Sequence, residues 1–81
     1  MKIHLIVKDV RYECEAEFEV TPFRDLNEAK ARFQEMCKMY RDDAMNDGWI
    51  IDEDTDVAFE AYELGYECQN HYYFNILTQE I

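Results

Sequence analysis

The chain has 81 residues, enough for one domain around one modest core, because a fold this small buries only about 60% of its unfolded surface. Nineteen Asp and Glu against eight Lys and Arg leave a net charge of −11, which argues against direct binding to nucleic acid or to an anionic membrane surface. Hydrophobic residues at 48% and aromatics at 15% are too many for a disordered acidic tail, so the chain is expected to fold.

In chain order, Ile3, Leu5 and Val7 alternate with Lys2, His4 and Lys8, the pattern of a strand with its Ile3 side inward. Residues 10–20 alternate without a fault. Val10, Tyr12, Cys14, Ala16, Phe18 and Val20 fall on one side, and Arg11, Glu13, Glu15, Glu17 and Glu19 on the other. That predicts a second strand with an apolar inner face and a wet acidic outer face, joined to the first by a turn at Lys8-Asp9-Val10-Arg11.

After Pro22 the period lengthens. Leu26, Ala29, Phe33, Met36, Cys37, Tyr40 and Ala44 form one apolar stripe, so residues 26–46 are predicted to be a helix capped by Asp25 and stopped at Gly48. Phe33 is expected mid-helix, against Val10, Tyr12 and Phe18. Trp49-Ile50-Ile51 then leads into an acidic connector, Asp52-Glu53-Asp54-Thr55-Asp56. Residues 57–63 read as a strand or a short helix, turning at Leu64-Gly65 into a last strand with Tyr72, Phe74 and Ile76 inward. The predicted fold is a single α+β domain, residues 1–81: an antiparallel sheet of three to four strands in ββαββ order, with one long helix packed on one face.

Chemistry-bearing groups are sparse. There is no serine, and Gly48 and Gly65 are the only glycines, so neither a serine nucleophile nor a glycine-rich phosphate loop can be built. Cys68 and His71 fall on opposite sides of a strand, which prevents a Cys–His dyad. Three widely spaced cysteines suit reduced, buried thiols more than a disulfide framework. No apolar stretch reaches the roughly eighteen residues of a membrane span, and Met1–Lys8 meets charge too early for a leader. The expectation is a cytoplasmic protein that is not an enzyme and carries no cofactor.

Charge is the informative feature. All eight bases and eight of the acids lie in residues 1–41, whereas residues 42–81 hold eleven acids and no Lys or Arg. Side chains two apart on a strand are roughly 6.6–6.8 Å apart, so Glu13, Glu15, Glu17 and Glu19 would repeat like the phosphates of a nucleic acid. A cleft that grips phosphates with Lys and Arg would accept such a row. Counted from Asp52, acids also fall at positions 1, 3, 5, 9 and 12 of a calcium-loop spacing, ending at Glu60 and Glu63. Val57 stands where that loop needs glycine, which leaves only weak divalent-ion attraction as a reading.

The run Trp49–Asp56, with Phe59-Glu60-Ala61-Tyr62, Gly65-Tyr66 and Asn70-His71-Tyr72, resembles small acidic uncharacterised proteins of bacterial phages and mobile elements over about residues 20–78. The resemblance implies a context in which inhibitors of host defence, of the anti-CRISPR and anti-restriction type, are frequent. It carries no site residues. The leading expectation is a non-enzymatic inhibitor that offers Glu13, Glu15, Glu17, Glu19, Asp52, Glu53, Asp54, Asp56, Glu60 and Glu63 to the basic surface of a nucleic-acid-binding protein such as a defence nuclease. The alternatives are a self-associating assembly module, whose bare sheet face would carry Ile6, Tyr73 and Leu77, and a weak metal-binding domain.

Overall fold

A computed structural model describes residues 1–13, 15–63 and 70–81. It contains β1 (Lys2–Tyr12), β2 (Glu15–Phe23), α1 (Leu26–Asn46), β3 (Ile50–Asp54), β4 (Ala58–Tyr62) and β5 (His71–Glu80). The class is α+β as expected, but the antiparallel sheet has five strands, in the order β2-β1-β5-β4-β3. The additional strand is β3, whose acids had read as a connector. Residues 57–63 resolve to strand β4, and Tyr72 and Phe74 point into the core with Ile76 packed against it. The expected turn at Leu64-Gly65 lies outside the described residues, as do Cys14 and Cys68.

The first hairpin overturns the predicted faces. β1 runs straight through Lys8-Asp9-Val10-Arg11, and the chain reverses only after Tyr12, with Glu13 at φ 51. Tyr12 pairs with Glu15, Val10 with Glu17, Lys8 with Glu19 and Ile6 with Thr21. Directly paired residues share a face, so the parity of the inward positions flips at the turn. His4, Ile6 and Val10 therefore face the helix, while Ile3, Leu5 and Val7 face away. On β2, Glu15, Glu17 and Glu19 take the helix side, and Ala16, Phe18 and Val20 the bare side. An alternation that looks unbroken through eleven residues belongs to two strands of opposite parity.

The helix forms where the period places it. Asp25 accepts from the Asn27 N–H at 2.9 Å, filling the N-cap, and Gly48 at φ 73 takes the left-handed turn that releases the chain. Phe33, Cys37 and Ala44 are buried against Ile6, Val10, Phe59, Ala61, Tyr72 and Phe74, and Ala29 is buried one turn before Phe33. Aromatic contacts lock this centre: Tyr40 meets Tyr72 and Phe74 edge-on, with 4.8 Å between centroids in both pairs, and Phe59 stacks on Phe74 at 5.9 Å. Phe18 is not part of it, being 69% exposed on the far side of the sheet. Tyr12 lies at the rim, stacked on Trp49 at 6.5 Å. No helix among the described residues is long and apolar enough to cross a membrane.

Phe33 is fully buried at the centre of the helix, so Phe33→Ala is expected to cost about 3–5 kcal/mol, read as a shift in urea midpoint at unchanged slope. Burial pushes the Cys37 thiol from 9.0 up to about 12. A raised folded pKa means this contribution is intact below pH about 9 and is lost as pH rises toward 12. In a variant retaining Cys37 alone (Cys14→Ala, Cys68→Ala), thiol-disulfide reagents should therefore react at pH 8 only on global unfolding, at rates that track urea concentration. Rapid labelling of the folded protein would place Cys37 outside the core.

Candidate functional site

The acidic groups marked out by the sequence occupy three places, not one. β2 and β3 are the two edges of the sheet, four strand spacings or about 19 Å apart. The two acidic segments therefore do not form a single row. On the β3 side two of the four carboxylates, Asp54 and Asp56, are answered from the helix, while Asp52 and Glu53 form no ion pair among the described residues. Arg41 grips Asp54 with both arms, Nε to Oδ2 at 2.8 Å and Nη2 to Oδ1 at 2.6 Å, and its guanidinium lies 5.6 Å from the centroid of the Phe59 ring. That hydrogen bonding raises the Arg41 pKa further above its already high value. Lys30 pairs with Asp56 at 3.2 Å. Glu60 points to the bare face of the sheet, where His71 Nε2 lies 2.9 Å from its Oε2.

On the β2 side the glutamates stand beyond the edge of the helix. Every residue from Glu15 to Val20 is exposed. Glu17 receives Lys8 Nζ at 2.9 Å, and Lys8 also lies 5.4 Å from the Tyr40 ring centroid. Burial alone would lower the Lys8 pKa, but its hydrogen bonds to Glu17 and Tyr40 hold it above its usual value. Between this strand and the helix runs a groove of about 470 Å³, walled by Glu19 and Thr21 on one side and by Arg32, Met36 and Met39 on the other. No imidazole, thiol or serine lines it.

The third place was not foreseen. Glu13 donates its backbone N–H to Asn70 Oδ1 at 2.8 Å, and Glu63 donates its own to the Asn70 carbonyl at 3.0 Å, which brings the β1–β2 turn beside the end of β4. Trp49 bridges to the helix end: its N–H reaches the Ala44 carbonyl at 2.9 Å, and its ring packs on Tyr72 at 4.6 Å and Tyr12 at 6.5 Å. Asp43 and Asp47 are close enough to Tyr72 to reinforce the effect of burial, which lifts its phenol to about 12. Glu13, Glu15, Asp42, Asp43, Asp47 and Glu63 thus stand at one end of the molecule, and none of them forms an ion pair among the described residues, although Asp42 adds to the field at Arg41. Arg11, the nearest base in sequence to the turn, is occupied by Asp9 at 3.8 Å.

Three of these carboxylate positions, in two places, work against the fold. Glu13 holds a left-handed φ of 51 without being glycine. Asp42 and Asp43 stand near the helix C-terminus, where the backbone dipole is negative, and the last turn contains no base to offset them. The signal for the second was present in the sequence: Asp42, Asp43 and Asp47 close the predicted helix with no lysine or arginine after Arg41. Among the described residues, no group of three or more His, Cys, Asp or Glu side chains is arranged to hold a metal ion. Compared with protein-family models, curated proteins and solved structures, the chain matches none of them.

If these acids are held at the expense of stability, removing them should stabilise the protein. Glu13→Gly is expected to gain about 1 kcal/mol by relieving the backbone, and Asp43→Asn about 0.3–1 kcal/mol at low ionic strength by relieving the dipole. Thermal unfolding in dilute buffer and again in high salt checks both, since only the Asp43 gain should shrink with salt.

Proposed function

We propose that the chain is a non-enzymatic, acidic protein-binding inhibitor that occupies the basic surface of a nucleic-acid-binding protein, a bacterial defence nuclease being the kind of target meant. The observation that carries this reading is the end of the molecule where Glu13, Glu15, Asp42, Asp43, Asp47 and Glu63 stand without an ion pair among the described residues, Glu13, Asp42 and Asp43 in positions unfavourable to folding. Solubility alone needs charge spread over the surface, not charge placed at a helix C-terminus and in a left-handed turn. Glu17 and Glu19 extend the negative surface from that end along β2, while Asp54 and Asp56 serve the β3–α1 contact and contribute less to it.

A phosphate-binding cleft presents Lys and Arg side chains that gain as much from a carboxylate as from a phosphate oxygen, because both supply charge-assisted acceptors. Binding should be fast and steeply salt-dependent, since the attraction acts over about a Debye length, near 8 Å at physiological ionic strength. No proton transfer or bond cleavage is required of the chain.

The test is retention of bacterial nucleic-acid-binding proteins on immobilised protein, with elution by a salt gradient and by competing duplex DNA. The wild type should retain such proteins and lose them to both eluents. A Glu13→Gln, Glu15→Gln, Asp43→Asn, Asp47→Asn variant should elute at markedly lower salt, although it is at least as stable. Retention indifferent to salt, to DNA and to the four substitutions would overturn the reading.

A further inference from the structure

Among the described residues, no element packs on one face of the sheet. The helix lies on the other, so Leu5, Val7, Phe18, Val20, Pro22 and Leu77 project from β1, β2 and β5 on the face away from it. Phe18 is 69% exposed, and Val20 and Leu77 are 44% each. The registers make the patch continuous: Leu5 stands between Pro22 on one neighbour and Leu77 on the other, and Val7 stands beside Val20. A contiguous apolar strip of this kind marks a contact surface, as singly scattered apolar residues do not. Ile6, expected on this face, lies on the opposite one in the core.

We propose that this face is the interface between two copies of the chain, related by a two-fold axis and packed sheet to sheet. Charge selects the occupant. In a molecule of net charge −11, the β2-β1-β5 strip carries only Asp9 and Arg11, paired with each other at 3.8 Å, beside an imidazole held by Glu60 at 2.9 Å. A basic partner would find no counter-charge there and would have to strip water from its own cations for nothing. A second copy meets a neutral, self-complementary apolar surface, with its unpaired carboxylates at the end and edge of the fold.

The area is consistent with this. The three long strands alone, at about 4.8 Å spacing and about 3.3 Å per residue, give a footprint of about 480 Å² per copy, since Glu53 and Glu60 put charge on the bare face of β3 and β4. Two copies bury about 950 Å², the size of a weak interface that fills only at high concentration. Such a sandwich, with sheets about 10 Å apart, leaves both helices and both acidic ends facing outward. The proposal does not depend on the function inferred above.

Sedimentation equilibrium of the full chain decides it. Wild-type protein up to about 500 μM should approach twice the 9.8 kDa chain mass, and association should tighten severalfold on going to about 1 M NaCl, as repulsion between like-charged copies is screened. Salt acts on partner binding in the reverse sense, so the two readings fail separately. Phe18→Glu and Val20→Lys should each weaken association at least tenfold while circular dichroism stays native; one adds negative charge and the other positive, which separates loss of the apolar contact from a change in net charge. Glu19→Lys, on the other face of the same strand, should leave the dimer intact. A single 9.8 kDa species in 1 M salt overturns the proposal, and so does a dimer that survives both Phe18→Glu and Val20→Lys.

Discussion

One helix, about 10 Å across with its side chains, has five strands to cover, and five strands at about 4.8 Å spacing are about 20 Å wide. That mismatch organises the molecule. The helix lies over β1, β5 and β4, where the fully buried Phe33, Phe59 and Phe74 share a core with Cys37 and Ala61. Long bases reach from its flank to close the β3 side, Arg41 to Asp54 and Lys30 to Asp56. On the other flank Phe23 of β2 packs against the core, but Glu15–Val20 lie beyond the helix, which opens the groove beside Met36 and Met39 and leaves the glutamates in water. A single helix can do nothing for the second face of the sheet. The bare sheet face is thus a remainder of an incomplete cover, whereas the acidic end is set by where the helix and the first hairpin finish.

What the sequence made legible follows from how local each signal is. The helix could be read to its ends because a 3.6-residue period, an aspartate cap and a stop glycine all act within one turn of the residues concerned. The inward set Tyr72, Phe74 and Ile76 was equally local. The faces of the first hairpin were not. A two-residue turn with Glu13 and no glycine leaves no mark in an alternating run, yet it exchanges inside and outside for every residue of β2. Phe18 looked like core for that reason alone. β3 was missed because Asp52, Glu53 and Asp54 have poor strand propensity, and their pairing with β4 is a tertiary fact.

The candidate site was half visible. The excess of acid in residues 42–81 was plain, but charge counted along a chain says nothing about which carboxylates have partners in space. Asp54 and Asp56 were singled out and turn out to hold the helix in place, whereas Asp43 and Asp47 were passed over as part of a helix end. Pairing requires the Cβ directions of two distant elements, and no spacing rule supplies those. The sign of a surface is legible in sequence; its distribution is not.

The central pairing of the sheet joins the earliest strand to the latest. β1 and β5 run antiparallel from Lys2 beside Glu80 to Arg11 beside His71, so the middle of the sheet waits for residues 60 to 78 positions away. Until β5 leaves the ribosome, the β1–β2 hairpin and the helix can form only as isolated pieces, with Ile6 and Val10 lacking the neighbours that bury them. Closure then comes at the end and all at once, with the slow kinetics of long loops and the cooperativity of a single nucleus. During that interval the inner face of β1 is exposed as well as the outer one, and a net charge of −11 opposes the association of one such chain with another.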